Sequence, residues 1–307
     1  MPLRAAGAAL IVAVCVLGLR RVDWQATGAA LADASPPLLA LALLANFTQL
    51  LVKALRFRLQ LSPIQRLPLL KLFHYVVISC GASMLLPGPA GATLRVYVLS
   101  RRHAVPIEAS IAVLVFEKLF EGIGLVFVVA ALPFLLPLPR AISLLIAALS
   151  LGGIAVAATV VVVVRRGRQR GFTGYWARWA RLSAGAEHVA RPSLFARASA
   201  LSLVAHLLDA VAIQLLLRAV GLDLPWATGG LVILALSFAM LVPLTPLHLG
   251  ALEAGAVGAL GLLGAPLPRA VAFGLIYHAL QVTPVLVLGL TGLGLLREAR
   301  AEPSRDP

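Results

Sequence analysis

The sequence predicts an all-α, multi-pass membrane protein with about six spanning helices and two re-entrant helical hairpins, arranged as an inverted-topology repeat. Composition is the first reason. The 307 residues are 61% hydrophobic and 12% charged, whereas a soluble domain is about half apolar and about a quarter charged. The second is the length of the apolar windows: about 20 residues, rising about 1.5 Å each, cross a hydrocarbon core of about 30 Å. Lipid offers no hydrogen-bond partners, so such segments must pair their backbone internally as helices. The third is that two further apolar stretches are broken in the middle by proline and glycine.

In chain order, spans are expected at about 3–19, 38–57, 107–132, 141–164, 198–217 and 270–296. The interrupted stretches lie at about 72–99 and 228–264. The first is broken at Pro87-Gly88-Pro89-Ala90-Gly91 and the second at Pro243-Leu244-Thr245-Pro246-Leu247-His248-Leu249-Gly250. Proline lacks an amide donor and clashes with the preceding turn, so each stretch should form two half-helices. Arg4, the apolar run Ala5 to Leu19 and Ala32-Asp33-Ala34 have the parts of a cleavable signal peptide. The spacer from Arg20 to Leu31 is long and polar for that role, and the repeat needs this helix, so a retained first span is expected.

The order helix, helix, hairpin, helix occurs over about 3–132 and again over about 141–296, the second copy starting from the opposite side. Residues 1–307 therefore form a single membrane domain, with a basic linker at about 165–197. Interrupted segments at matching positions of inverted repeats mark a binding site.

The formal charge of +14 would suggest nucleic acid for a soluble protein. Here the basic residues lie between apolar segments or at their ends, which is a topology signal and gives no reason for a nucleic-acid partner. With the N-terminus in the cytoplasm, nineteen Lys and Arg residues, Arg56 and Arg95 among them, fall on the cytoplasmic side and five on the outer side, with Lys53 and Lys118 inside spans. That bias places both termini in the cytoplasm and the chain in the cell (inner) membrane. Eight full spans with proline kinks are the competing topology, but they would move Arg101, Arg102 and the basic linker outside. In the linker, Tyr175, Trp176 and Trp179 alternate with Arg178 and Arg181, as in an interfacial helix on an anionic leaflet; a solvated basic loop is the simpler alternative.

A charge at mid-membrane costs at least about 2.5 kcal/mol, so ionisable residues inside spans are the candidates for function. Asn46, Gln49, Lys53 and Arg56 recur at spacings of three, four and three and share one helix face. Arg56 could instead snorkel to the interface. Glu117, Lys118 and Glu121 sit midway along the third span, where the two glutamates share a face and need cationic partners such as Lys53 or Arg95, or a proton. His206, Asp209 and Gln214, and Tyr277, His278 and Gln281, are weaker candidates, since single polar residues often only join helices. Thr93 and Arg95 follow the first break and Glu253 the second. The free amides of a half-helix N-terminus favour an anionic group such as a lipid phosphate, although Glu253 could cap its own helix. The stripe Gly250, Ala254, Gly258 would let that half-helix pack closely.

No HExxH, nucleophile elbow, Walker loop or Cys/His cluster occurs, so neither an enzyme nor a cofactor or metal is expected. Cys15 and Cys80, the only cysteines, lie far apart within apolar stretches, which argues against a disulfide.

Leu85-Leu86-Pro87-Gly88-Pro89-Ala90-Gly91-Ala92-Thr93-Leu94-Arg95, with Phe116-Glu117-Lys118-Leu119-Phe120-Glu121, resembles the lysylphosphatidylglycerol synthase transmembrane, or flippase-like, family. The stretch from Pro243 to Glu253 is similar to the family's other hallmark. The resemblance implies a membrane domain that translocates or handles polar lipids, with Gly91, Arg95, Glu117, Glu121, Pro243, Pro246, Gly250 and Glu253 matching by position. Ala92 stands where an acidic residue is common, Lys118 and His278 where arginine is common, and His248 where glycine is usual. No aminoacyl-transferase domain follows Arg297, so the synthase activity is not carried over.

The reading that results is a lipid flippase or lipid-transport protein. A mid-membrane cavity lined by Lys53, Arg95, Glu117, Glu121 and Glu253 would take a polar or anionic head group, while the acyl chains stay in lipid. The alternatives are an accessory or catalytic membrane subunit in lipid-linked sugar, aminoacyl-lipid or hopanoid metabolism, working with a separately encoded lipid-modifying enzyme, and a small-solute transporter.

Overall fold

A computed structural model of the chain describes residues 22–86, 89–170, 191–240 and 246–301. The described residues are all helix and connecting turns. In order they are α1 (Trp24–Ala32), α2 (Pro36–Leu61), α3 (Leu69–Leu85), α4 (Ala90–His103), α5 (Ile107–Val129), α6 (Leu132–Leu135), α7 (Arg140–Arg170), α8 (Pro192–Ala219), α9 (Thr228–Met240), a 3-10 turn at Pro246–His248, α10 (Ala251–Gly261) and α11 (Leu267–Ala301).

Local chemistry sets the ends. Prolines in the first turns of α2 and α8 give up amides that have no intrahelical acceptor. Arg101, Arg102 and His103 close α4, where cations complement the negative end of the helix. Helix α1 is started by Asp23, whose carboxylate accepts the Ala26 amide at 2.9 Å. This helix is a correction to the sequence reading, which left 20–31 as a polar spacer.

Pro36–Leu61, Arg140–Val163, Pro192–Ala219 and Leu267–Gly289 are long and apolar enough to cross a membrane. Helix α5, at 23 residues, is of similar length but carries Glu117, Lys118 and Glu121 at its centre. Both interrupted stretches are broken as expected: α3 and α4 have 17 and 14 residues, α9 and α10 have 13 and 11. At about 1.5 Å per residue each arm is shorter than a hydrocarbon core of about 30 Å. The first expected span and most of the linker, with Tyr175, Trp176 and Trp179, lie outside the described residues.

Helices α2 and α8 pack along each other and make the most extensive helix–helix contact among the described residues. Around them α5 packs on α8, α3 on α2 and α11, α9 on α8 and α10, and α10 on α11. Two cores form, one around Phe57, Val76, Phe116 and Phe120 that also takes Leu194 and Ala198, and the other around Ile213, Leu216, Val232 and Phe273 that also takes Ala34, Ala42 and Val129. Helix α7 packs on α5 and exposes Leu144, Leu145, Leu151, Ile154 and Val156, an apolar surface that suits a lipid neighbour and not water. The expected stripe of Gly250, Ala254 and Gly258 is corrected to the neighbouring face of the helix. A Cβ at Gly258 would meet nothing, whereas one at Gly255 would press on the Ala235 carbonyl at 3.2 Å, so Gly255 is the close-packing residue of the second hairpin.

Candidate functional site

The polar face of α2 is buried. Asn46, Gln49 and Arg56 are almost inaccessible, Lys53 is half-buried, and Gln60 extends the face by another turn. The helix turns this face inward because α8 packs along it, which leaves the apolar Leu41, Leu44, Leu51 and Leu55 outside.

Arg56 is the pivot of the site, with 1% of its surface exposed. Its Nη1 donates to Ser202 Oγ on α8 at 2.6 Å, and its Nη2 donates to Glu121 Oε1 on α5 at 3.0 Å. The same Nη2 lies 3.5 Å from Glu117 Oε1. Arg56 therefore does not snorkel to the interface: acceptors on α5 and α8 hold the guanidinium inside the bundle.

The first hairpin joins the same network. Arg95, on the second turn of α4, donates from Nη1 to Glu117 Oε2 at 2.5 Å and from Nη2 to Ser79 Oγ at 2.9 Å. Its guanidinium lies over the Phe57 ring, 4.9 Å from the centroid. Ser79 in turn donates to the Gly91 carbonyl at 2.9 Å, tying α3 to α4. Gly91 is needed there because a Cβ would run into the Ser79 carbonyl and the Ser83 hydroxyl. Of the two roles the sequence leaves to Arg95, strengthening an anion site at the half-helix N-terminus or pairing with the glutamates of the third span, the structure takes the second: the guanidinium turns inward onto Glu117. On the outer side Lys118 Nζ donates to Glu121 Oε2 at 2.7 Å while 78% of its side chain stays exposed. The two glutamates escape mutual repulsion because each bonds a different set of cations. By formal charge the network holds three cations against two carboxylates, and the Nε groups of Arg56 and Arg95 have no acceptor among the described residues.

The second break is built differently. Glu253 Oε2 accepts the Gly250 amide at 2.8 Å, and Oε1 lies 2.7 Å from His278 Nδ1 on α11. The carboxylate therefore caps its own helix, so this N-terminus is not the open anion site that was expected. The backbone leading into it is strained, with Leu247 at φ 59° and His248 at φ 58°, followed by Gly250 at φ 82°. His248 thus occupies a left-handed position that glycine adopts without steric cost, which is the physical reason a glycine would suit it. Pro246 opens the turn that packs against α3; Pro243 lies outside the described residues.

The remaining candidates fall into two small sets. Asn46 Nδ2 donates to Gln281 Oε1 at 2.9 Å, and Gln281 Nε2 donates to Tyr277 Oη at 2.6 Å, which joins α2 to α11. Lys53 lies within electrostatic reach of Glu121, His206 and Asp209, and His206 Nδ1 is 2.9 Å from the Ser202 carbonyl.

The single cavity lined by Lys53, Arg95, Glu117, Glu121 and Glu253 is corrected by this arrangement. Among the described residues Arg95, Glu117 and Glu121 share one network, while Glu253 belongs to another. A groove of about 520 Å³ opens instead between α4 and α5, lined by Ala92, Thr93, Val96, Ile111, Leu114, Val115 and Lys118. Sequence reasoning missed Ser79 and Ser202, which supply the hydroxyls that seat the two guanidiniums. Their only signal was a small hydroxyl in an apolar helix, shared with Ser110 and Ser150.

A bundle of apolar helices holding an ion-paired network inside defines a multi-pass membrane protein. The chain belongs to the family described as the lysylphosphatidylglycerol synthase TM region, whose model matches residues 4–289, and is accordingly a lipid-related membrane protein. No curated protein matches the chain.

Proposed function

We propose that this protein is a lipid flippase or lipid-transport protein that carries the head group of a polar, anionic phospholipid through the interior while the acyl chains remain in lipid. One observation carries the reading: among the described residues the three cations Arg56, Arg95 and Lys118 are paired with two carboxylates, Glu117 and Glu121. Keeping unbalanced charge inside apolar helices is costly. A lipid phosphate would offset the surplus cation and offer acceptors to the guanidinium Nε groups. Lipid-family membership supports the same substrate class.

In this reading both broken hairpins are re-entrant and the two halves are inverted repeats whose rocking exposes the site to each side in turn. Removing the two buried arginines, Arg56 and Arg95, from the topology count still leaves a large cytoplasmic excess, which supports cytoplasmic termini in the cell membrane. A lipid-modifying enzyme encoded separately would supply or consume the transported lipid.

The test is transbilayer movement of a fluorescent phosphatidylglycerol in phosphatidylcholine liposomes holding the full chain. Arg95→Ala combined with Glu117→Gln is expected to slow it at least about tenfold, the worth of one charge-assisted contact. An unchanged rate in the double variant would remove the site from the function.

A further inference from the structure

Lys118 stands at the midpoint of Ile107–Val129, on the exposed side of the helix and not in its packed face. Interior cations of membrane helices ordinarily face the bundle. Among the described residues this ammonium pairs with Glu121, and it otherwise opens into the groove between α4 and α5. The groove wall is aliphatic along its length: Ala92 and Val96 from α4, and Ile111, Leu114 and Val115 from α5. Thr93 adds a hydroxyl near the first turn of α4, where its Oγ1 donates back to the Pro89 carbonyl at 3.0 Å and still has an accepting lone pair. One cation set in a strip of hydrocarbon has the chemistry of an anionic amphiphile in negative image.

The geometry points to this groove as a lateral binding site for one anionic phospholipid, with its phosphate on Lys118 and an acyl chain along the aliphatic wall. The site rests on the lipid class proposed above, but not on transport. It is also the outer end of a continuous chain of contacts. Lys118 and Arg56 share Glu121, and Arg56 and Arg95 share Glu117. A phosphate that takes Lys118 loosens Glu121 from its outer partner and leaves that carboxylate to Arg56, so arrival at the groove reaches the buried network by exchange of partners.

The experiment uses the full chain in vesicles of phosphatidylcholine and phosphatidylglycerol at about three to one, doped with either lipid bearing a photoreactive group on its acyl chain. Adducts are mapped by mass spectrometry. Phosphatidylglycerol is expected to label α4 and α5 around Val96, Ile111 and Val115 in preference to phosphatidylcholine. Lys118→Gln should erase that preference by about tenfold, while Lys118→Arg should keep it. Val115→Trp, which fills the groove and spares the charge, should reduce adducts of both lipids. Equal labelling by the two lipids, or a preference that survives Lys118→Gln, would reduce the groove to ordinary boundary lipid and overturn the proposal. The two readings separate cleanly: selective labelling without transbilayer movement leaves the groove standing and removes transport, and movement without selective labelling does the reverse.

Discussion

The two broken hairpins are both apolar stretches interrupted by proline and glycine, yet they are held by different forces. The first is held by charge that reaches outward: Arg95 on α4 meets Glu117 on α5, and Glu117 and Glu121 meet Arg56 on α2. The second is held close to home, where Glu253 caps the helix it belongs to and reaches only His278. The first break gains its fit from a missing side chain at Gly91, while the second tolerates left-handed backbone at Leu247 and His248. The same interrupted helix thus serves as a hub in one half and as a self-contained corner in the other. A hub of buried ion pairs is sensitive to any change in charge balance, because losing one member strands another in low dielectric.

That contrast can be broken most directly by removing a carboxylate from each hairpin's network. Glu117→Leu leaves the buried Arg95 with only Ser79, and should cost about 3 to 5 kcal/mol of stability in a denaturant titration of the detergent-solubilised protein. Glu253→Leu removes a cap and should cost only about 0.5 to 2 kcal/mol. Equal losses would erase the distinction. The next effect is steric: Gly91→Ala, which sets a methyl against the Ser79 carbonyl, is expected to cost about 1 to 3 kcal/mol. A silent Gly91→Ala would mean that α3 and α4 can part without penalty. The smallest change sharpens the other side. His248→Gly relieves a left-handed residue and should stabilise by about 0.5 to 1 kcal/mol, the steric cost less the added chain entropy of glycine. A loss there would show that the His248 side chain holds the corner.

Much of the fold was legible because lipid imposes a simple rule on sequence. Among the described residues the apolar runs long enough to span are helices, and the runs broken by Pro87 to Gly91 and Pro243 to Gly250 are helix pairs. Helix α1 was missed because a nine-residue helix rich in small residues carries little periodic signal, and it stands here by packing on α11. Within the site, spacing placed Asn46, Gln49, Lys53 and Arg56 on one face and Glu117 with Glu121 on another. Spacing could not rank Arg56 above Lys53, because both lie on the same stripe and only the approach of α5 and α8 distinguishes them.

The sequence by itself determined the membrane class, the places where helices break, and which ionisable side chains must turn away from lipid, since these follow from the transfer cost of each residue taken along its own helix. Which cation meets which carboxylate, the inward turn of Arg95, the self-capping of Glu253 and the groove beneath Lys118 were decided only in the tertiary structure. Ion pairs depend on distances between helices far apart in the chain, and no local periodicity encodes those distances.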